Sequence, residues 1–248
     1  MRCDYSVEYT EKYLHTSVSD VYSQADSPRI FEAFETAYQA HAKQLRDNDA
    51  PYIIHPMRVA LMLIRYEGAI ADVFIAALLH DTLEDTSLSS REIEQKFGTN
   101  VSKLVKALTR QHGDESLQEK QLAKFQKWQR IMNNIHEIRA IKTFDALDNM
   151  MCWKSIPQEK IARKKIPRWL KEAKEMSLPL ARATNIHAYN LMQELYAMVY
   201  PKVRLTLTLC EKSDRMKEIR FNSSKDRIFH KSQYVDSIIV DSFFPFCC

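Results

Sequence analysis

The sequence predicts an all-α fold, and three observations carry that prediction. Only three glycines occur in 248 residues, so few positions are free to take positive φ, which disfavours hairpins, barrels and glycine-rich phosphate loops. Apolar residues recur at helical spacing through most of residues 28–199. Cap residues, early prolines and late glycines punctuate these stretches as helix starts and stops. The chain is long enough to bury a sizeable core.

The elements follow in order. Ser27-Pro28 reads as a cap and a first-turn proline, followed by Ile30, Phe31, Phe34, Ala37, Tyr38 and His41 on one face. The run 47–51 breaks this helix. Pro56 opens the next, with Val59, Ala60, Leu63 and Ile64 inward and Gly68 as its stop. Residues 72–80 are apolar on most sides and therefore central. Ser89 to Glu92 form a capping box for a helix ending at Phe97-Gly98. Asn100 is placed to cap a helix carrying Val101, Leu104, Val105 and Leu108, and 111–118 reads as a polar loop. Further helices are expected over 122–133, 137–153, 158–176 and 179–199. Residues 206–210 and 235–240 lean towards β but stand isolated. The expected organisation is an N-terminal segment (1–26), a helical domain (27–200) and an accessory or partly disordered extension (201–248).

Composition excludes several classes. No apolar run reaches the roughly 20 residues of a membrane span, and the polar, acidic first twenty residues do not form a signal peptide. Cysteines at 3, 152, 210, 247 and 248 form no C-x-x-C pair, a pattern that fits a reducing, cytoplasmic setting. The net charge is +4, and residues 154–175 alone carry eight Lys or Arg against three Glu. Such a segment is either a solvated helix face or a field that attracts polyphosphate or RNA.

The chemistry concentrates in Ala76 to Thr86. His80-Asp81 presents an imidazole and a carboxylate to one point, as a divalent cation requires. Glu84 and Asp85 lie four residues further on and share that face if the helix continues. His55, ahead of Pro56, is expected just outside the helical basin at a helix start. Asp145 lies in an amphipathic stretch with Asn149 four residues later on the same face. Two imidazoles and two carboxylates (His55, His80, Asp81 and Asp145) suit Mn²⁺ or a similar ion with positions left for water and substrate. The remaining histidines (15, 41, 112, 136, 187 and 230) read as structural, Trp128 and Met150-Met151 as core, and Ser89 and Ser90 as caps.

These residues resemble the RelA/SpoT-type HD-domain hydrolases. The likeness rests on Gln44-Leu45-Arg46, Pro51 to Pro56, Ala76 to Thr86, Phe97-Gly98, Leu104-Val105, Leu108-Thr109 and Ile141 to Met150 in family order, with Pro179-Leu180-Ala181 similar to a later motif. It spans roughly residues 30–195 and points to the small alarmone hydrolases, the group that includes the metazoan SpoT homologue. The resemblance implies an HD-type helical bundle with a metal site between central helices. It implies removal of the 3′-diphosphate of (p)ppGpp, the stringent-response alarmone, with His55, His80, Asp81 and Asp145 on Mn²⁺. Glu84 and Asp85 would orient or deprotonate the attacking water, Asn149 would meet ribose or phosphate, and Arg46 would stack on the base.

Two departures from the family pattern matter. Asp47-Asn48-Asp49 stands where the family commonly carries a basic residue, a small one and glycine. Carboxylates there favour an amino donor, which adenine offers and the guanine O6 acceptor does not, so an adenosine alarmone is also expected. Asp145-Ala146-Leu147-Asp148-Asn149-Met150-Met151 lacks the basic residues that usually follow the metal aspartate, so phosphate contacts are expected from Lys142, Lys154 or the basic helix instead. The alternatives are a hydrolase acting as an antitoxin on tRNA 3′-ends pyrophosphorylated by a toxin synthetase, and a non-catalytic nucleotide sensor.

Overall fold

A computed structural model describes residues 6–110, 117–153 and 165–198. A first compact unit spans residues 1–195 and holds every element below; a second runs from 196 to 248, of which only 196–198 fall among the described residues. The expected extension 201–248, the β-leaning segments, His112, His230 and much of the basic stretch lie outside them. The described residues are helical, with one isolated bridge between Leu45 and Pro51 and no strand, so the all-α expectation holds. None of the described helices is long and apolar enough to cross a membrane.

Helix α1 (Val7–Val21) is capped by the Ser6 hydroxyl, which accepts from the Tyr9 N–H, and buries Thr10, Leu14 and Val18; it packs on α3 (Ile54–Glu67). Helix α2 (Ser27–Ala40) starts at the predicted place but without a serine cap. The Ser27 hydroxyl donates backwards to the Ser23 carbonyl at 3.0 Å and is not available to the first turn. Helix α3 begins two residues before Pro56, so His55 sits inside the first turn, not ahead of the helix. The proline is tolerated because the N–H it lacks would have had no intrahelical acceptor there. Gly68 ends α3 at φ +60, a conformation that L side chains resist.

Helix α4 (Ala71–Leu79) is buried at every residue except Asp72. It packs against α2, α3, α9 (His136–Cys152) and α7 (Thr99–Leu108), which makes it the hub of the unit. Asp72 accepts from Arg29 at 2.8 Å and from Asn100 at 2.9 Å, tying α2 and α7 to the start of α4. Asn100 is therefore a cross-link; the cap position of α7 is Gly98. The Ser89–Glu92 capping box forms as read and opens α6 (Ser90–Phe97). Helix α8 (Leu117–Met132) starts five residues earlier than expected and absorbs the end of the predicted loop.

Towards the end of the unit, α10 (Lys165–Glu172) runs through a π-helical turn (Ala173–Ser177) into α11 (Leu178–Thr184). The single helix expected over 179–199 is broken at Asn185, where the backbone turns extended. The break follows from the side chain of Asn185, which donates to Glu67 at 2.6 Å and accepts from the Ala188 N–H at 2.9 Å, capping the helical stretch that begins at 186.

Phe74 at the centre of α4 is fully buried, with Tyr22 edge-on at 5.5 Å. Replacing it by alanine removes a large side chain from a site walled by four helices. Phe74→Ala is expected to lower the unfolding free energy by about 3–5 kcal/mol, read from urea denaturation; a loss below about 1 kcal/mol contradicts the central placement of α4.

Candidate metal centre

The rigidity of α4 is what presents His80. The helix ends at Leu79, and the His80 Nδ1–H donates to the Ala77 carbonyl at 2.8 Å. With Nδ1 engaged as donor, the neutral ring carries its lone pair on Nε2. That atom is buried and lies 3.0 Å from Asp81 Oδ2, so it can take either a metal or, in the metal-free protein, a proton shared with the carboxylate. The chain then breaks at Asp81 and forms a separate short turn, α5 (Thr82–Asp85). Glu84 and Asp85 accordingly do not continue the α4 face. Thr82 drives the break, its buried hydroxyl donating to the Leu79 carbonyl at 2.7 Å.

Helices α3 and α9 bring the partners. His55 Nε2 lies 3.1 Å from Asp145 Oδ1 and 3.6 Å from Asp81 Oδ2, and the His55 and His80 rings meet edge to face at 5.2 Å. One ligand atom each from His55, His80 and Asp145 fall within 4.8 Å of one another, all three residues being buried. Asp81 flanks this group, held by the Tyr52 hydroxyl at 2.6 Å. The four residues that the sequence assigned to the metal therefore converge, three as a compact set and Asp81 alongside. Two buried imidazole nitrogens facing carboxylates match the donor set of a divalent cation.

The electrostatics agree. Burial by itself lowers the pKa of His80, but the carboxylates of Asp81 and Asp145 and the Ala77 carbonyl outweigh it and push it up to about 9. Burial likewise raises Asp81, and the facing His80 reverses this and holds its carboxyl well below the usual range. Asp145 is also held low, against burial, by Lys142 and by the two histidines. A histidine raised from 6.5 to about 9 stabilises the fold fully below pH 6.5 and loses that contribution as pH climbs towards 9. The melting temperature in EDTA is thus expected to fall between pH 6.5 and 9, and Mn²⁺ is expected to flatten the decline by replacing the proton. A flat profile in EDTA contradicts this pairing.

Of the other predicted site residues, Arg46, Glu84, Lys142 and Asn149 line a cavity of about 620 Å³ beside Asp145, whereas Asp85 is not part of its wall. Glu84 lines it and accepts from the Lys127 ammonium and the Arg110 N–H. Asp85 lies 3.5 Å from the Tyr52 hydroxyl, its carboxyl pushed up by burial and by the charges of Asp81 and Glu84. Lys142 pairs with Asp145. Asn149 donates to Asp145 at 2.7 Å and accepts from Arg46 at 2.9 Å. Arg46, assigned to base stacking, thus already has an amide partner, and its guanidinium lies 6.0 Å from the Tyr52 ring centre. Asp47 and Asn48 lie on the cavity rim, whereas Asp49 turns out to solvent at φ 64.

Sequence reasoning misses several contributors. Tyr52 stands out only as part of a motif, yet it holds Asp81 and stacks on buried His41 at 4.6 Å. Lys127 has no local signal beyond its place on an amphipathic helix. Trp128, read as core, lines the cavity and donates to the Met176 carbonyl at 3.0 Å. Asp148 is fully buried three residues after Asp145 and meets His55 Nδ1 at 2.8 Å. A lone acidic residue on an inward helix face is the available signal for it.

Comparison with known proteins agrees with this geometry. The profile of the HD domain family matches residues 33–171. A guanosine-3′,5′-bis(diphosphate) 3′-pyrophosphohydrolase of Aquifex aeolicus is 38% identical over 183 residues, covering 71% of this chain and 25% of that protein. The bifunctional (p)ppGpp synthase/hydrolase SpoT of Escherichia coli K12 is 34% identical over 179 residues, 70% of this chain and 24% of its own length. The chain spans about a quarter of the length of these relatives. A solved structure described as a metazoan orthologue of SpoT that hydrolyses ppGpp superposes with a TM-score of 0.62 at 25% identity, covering 71% of this chain and 97% of that one.

Proposed function

Because this chain belongs to the HD domain family, we propose that it is a metal-dependent hydrolase removing the 3′-diphosphate of a guanosine or adenosine alarmone such as (p)ppGpp as pyrophosphate. The observation that carries the reading is the convergence of buried His55, His80 and Asp145, with ligand atoms within 4.8 Å of one another, where Asp145 also forms part of the wall of a lysine-lined cavity. The relatives named for ppGpp 3′-pyrophosphohydrolysis support the choice of substrate class. The scattered cysteines suit action in the cytoplasm.

His55, His80, Asp81 and Asp145 would hold Mn²⁺ or a similar divalent ion, which supplies Lewis-acid polarisation of the phosphoryl group and a lowered pKa for water. Asp85, whose raised pKa makes it the better proton acceptor, takes a proton from the attacking water, while Glu84, fixed by Lys127, orients that water. The water oxygen bonds to the phosphorus attached to O3′, the P–O3′ bond breaks, and O3′ leaves as the ribose hydroxyl, protonated from solvent as Asp85 returns its proton there. Lys142 and Lys127 offset the charge that builds on the phosphoryl oxygens. Arg46 and Asn149 face the nucleoside, and Asp47 on the rim is placed to read a base edge.

The test is pyrophosphate release from ppGpp and ppApp in Mn²⁺, in Mg²⁺ and in EDTA. Release from at least one nucleotide with Mn²⁺ and none in EDTA is the expected outcome, with ppApp the faster if Asp47 reads the base. Clear preference for ppGpp removes the adenine reading, and no release from either overturns the proposal.

A further inference from the structure

We infer that Asp148 is a positioning residue for His55, keeping the proton of that imidazole on Nδ1 so that Nε2 is left to the metal centre; this rests on His55 being a metal ligand. Asp148 is fully buried on α9. Its Oδ2 lies 2.8 Å from His55 Nδ1, and a carboxylate oxygen can only accept there, so the ring must donate from Nδ1. The opposite nitrogen, Nε2, is the one that faces Asp145 and Asp81. His80 reaches the same end by other means, its Nδ1–H donating to the Ala77 carbonyl. Both imidazoles therefore present Nε2 to one point, each oriented by an oxygen acceptor on its far side, the arrangement that fixes tautomer and ring angle in metal-ligating histidines.

A buried carboxylate needs cationic compensation, and the chain supplies it. Arg58, one turn after His55 on α3, places Nε 2.8 Å from Asp148 Oδ1, and Arg46 places Nη2 3.6 Å from Oδ2. The same carboxylate thus joins a metal-facing histidine to the arginine at the cavity rim.

The test is Asp148→Asn, which preserves size. An amide has one oxygen; kept towards Arg58 at the Oδ1 position, it leaves the NH₂ facing His55 Nδ1, which drives the imidazole proton to Nε2. The expected result is a 10–100-fold loss of Mn²⁺ affinity by calorimetry, with a metal-free melting temperature that separates this loss from unfolding. Equal Mn²⁺ affinity in the variant and the wild type overturns the inference while leaving the metal centre standing. Failure of the wild type to bind Mn²⁺ defeats the reading beneath it. Because the Asp148→Asn substitution can leave the arginines uncompensated and impair folding, a second measurement uses the unaltered protein. Imidazole ¹⁵N spectra of the metal-free wild type, assigned with His55→Gln, are expected to show a hydrogen-bonded proton on His55 Nδ1. An unprotonated Nδ1 overturns the inference.

Discussion

Asp145→Asn is expected to abolish measurable Mn²⁺ binding and to cut pyrophosphate release by at least about 10³-fold. The substitution keeps the shape but removes the charge facing both His55 and His80. Loss of several kcal/mol of charge stabilisation corresponds to a rate loss of this size. It also leaves Lys142 without the carboxylate that compensates its charge, so the metal-free fold changes too. Calorimetry with Mn²⁺ and the melting temperature in EDTA separate the two effects. A variant that binds Mn²⁺ as tightly as the wild type shows that Asp145 is not a ligand.

The double substitution Glu84→Gln with Asp85→Asn is expected to behave in the opposite way. These residues lie on α5, outside the convergent group of His55, His80 and Asp145. Mn²⁺ affinity is therefore expected to stay within about threefold, whereas kcat falls by about 10²–10⁴, the usual worth of a positioned proton acceptor. The Glu84–Lys127 pair is shielded from solvent, and its loss adds to the effect by freeing Lys127. Full activity in the double variant removes both carboxylates from the chemistry. Together the two substitutions divide holding the ion from activating the water.

The helices were legible because their signals are local. The capping box at Ser89 and Glu92 and the glycine stop at residue 68 each depend on residues within one turn, and both formed as read. The errors came where a side chain bonds away from its own turn. Ser27 donates back to Ser23, Asn100 reaches across to Asp72, and Asn185 reaches Glu67 and breaks a helix that periodicity had carried through. The break after His80 has the same character, with Thr82 bonding back to Leu79. The residues of the candidate metal centre stood out because His80-Asp81 is contiguous and the others sit in recognisable motifs. Their supports were not, since Tyr52 to Asp81 and Asp148 to His55 are contacts between residues far apart in the chain.

The reaction proposed for this site is cleavage of the bond between O3′ and phosphorus in an alarmone. Incubating the wild-type protein with Mn²⁺ and ppGpp or ppApp in H₂¹⁸O, then weighing the products by mass spectrometry, tests it most directly. The expected products are a nucleoside 5′-diphosphate without label and pyrophosphate carrying one ¹⁸O. Orthophosphate as the product, label in the nucleotide, or equal turnover in EDTA contradicts it.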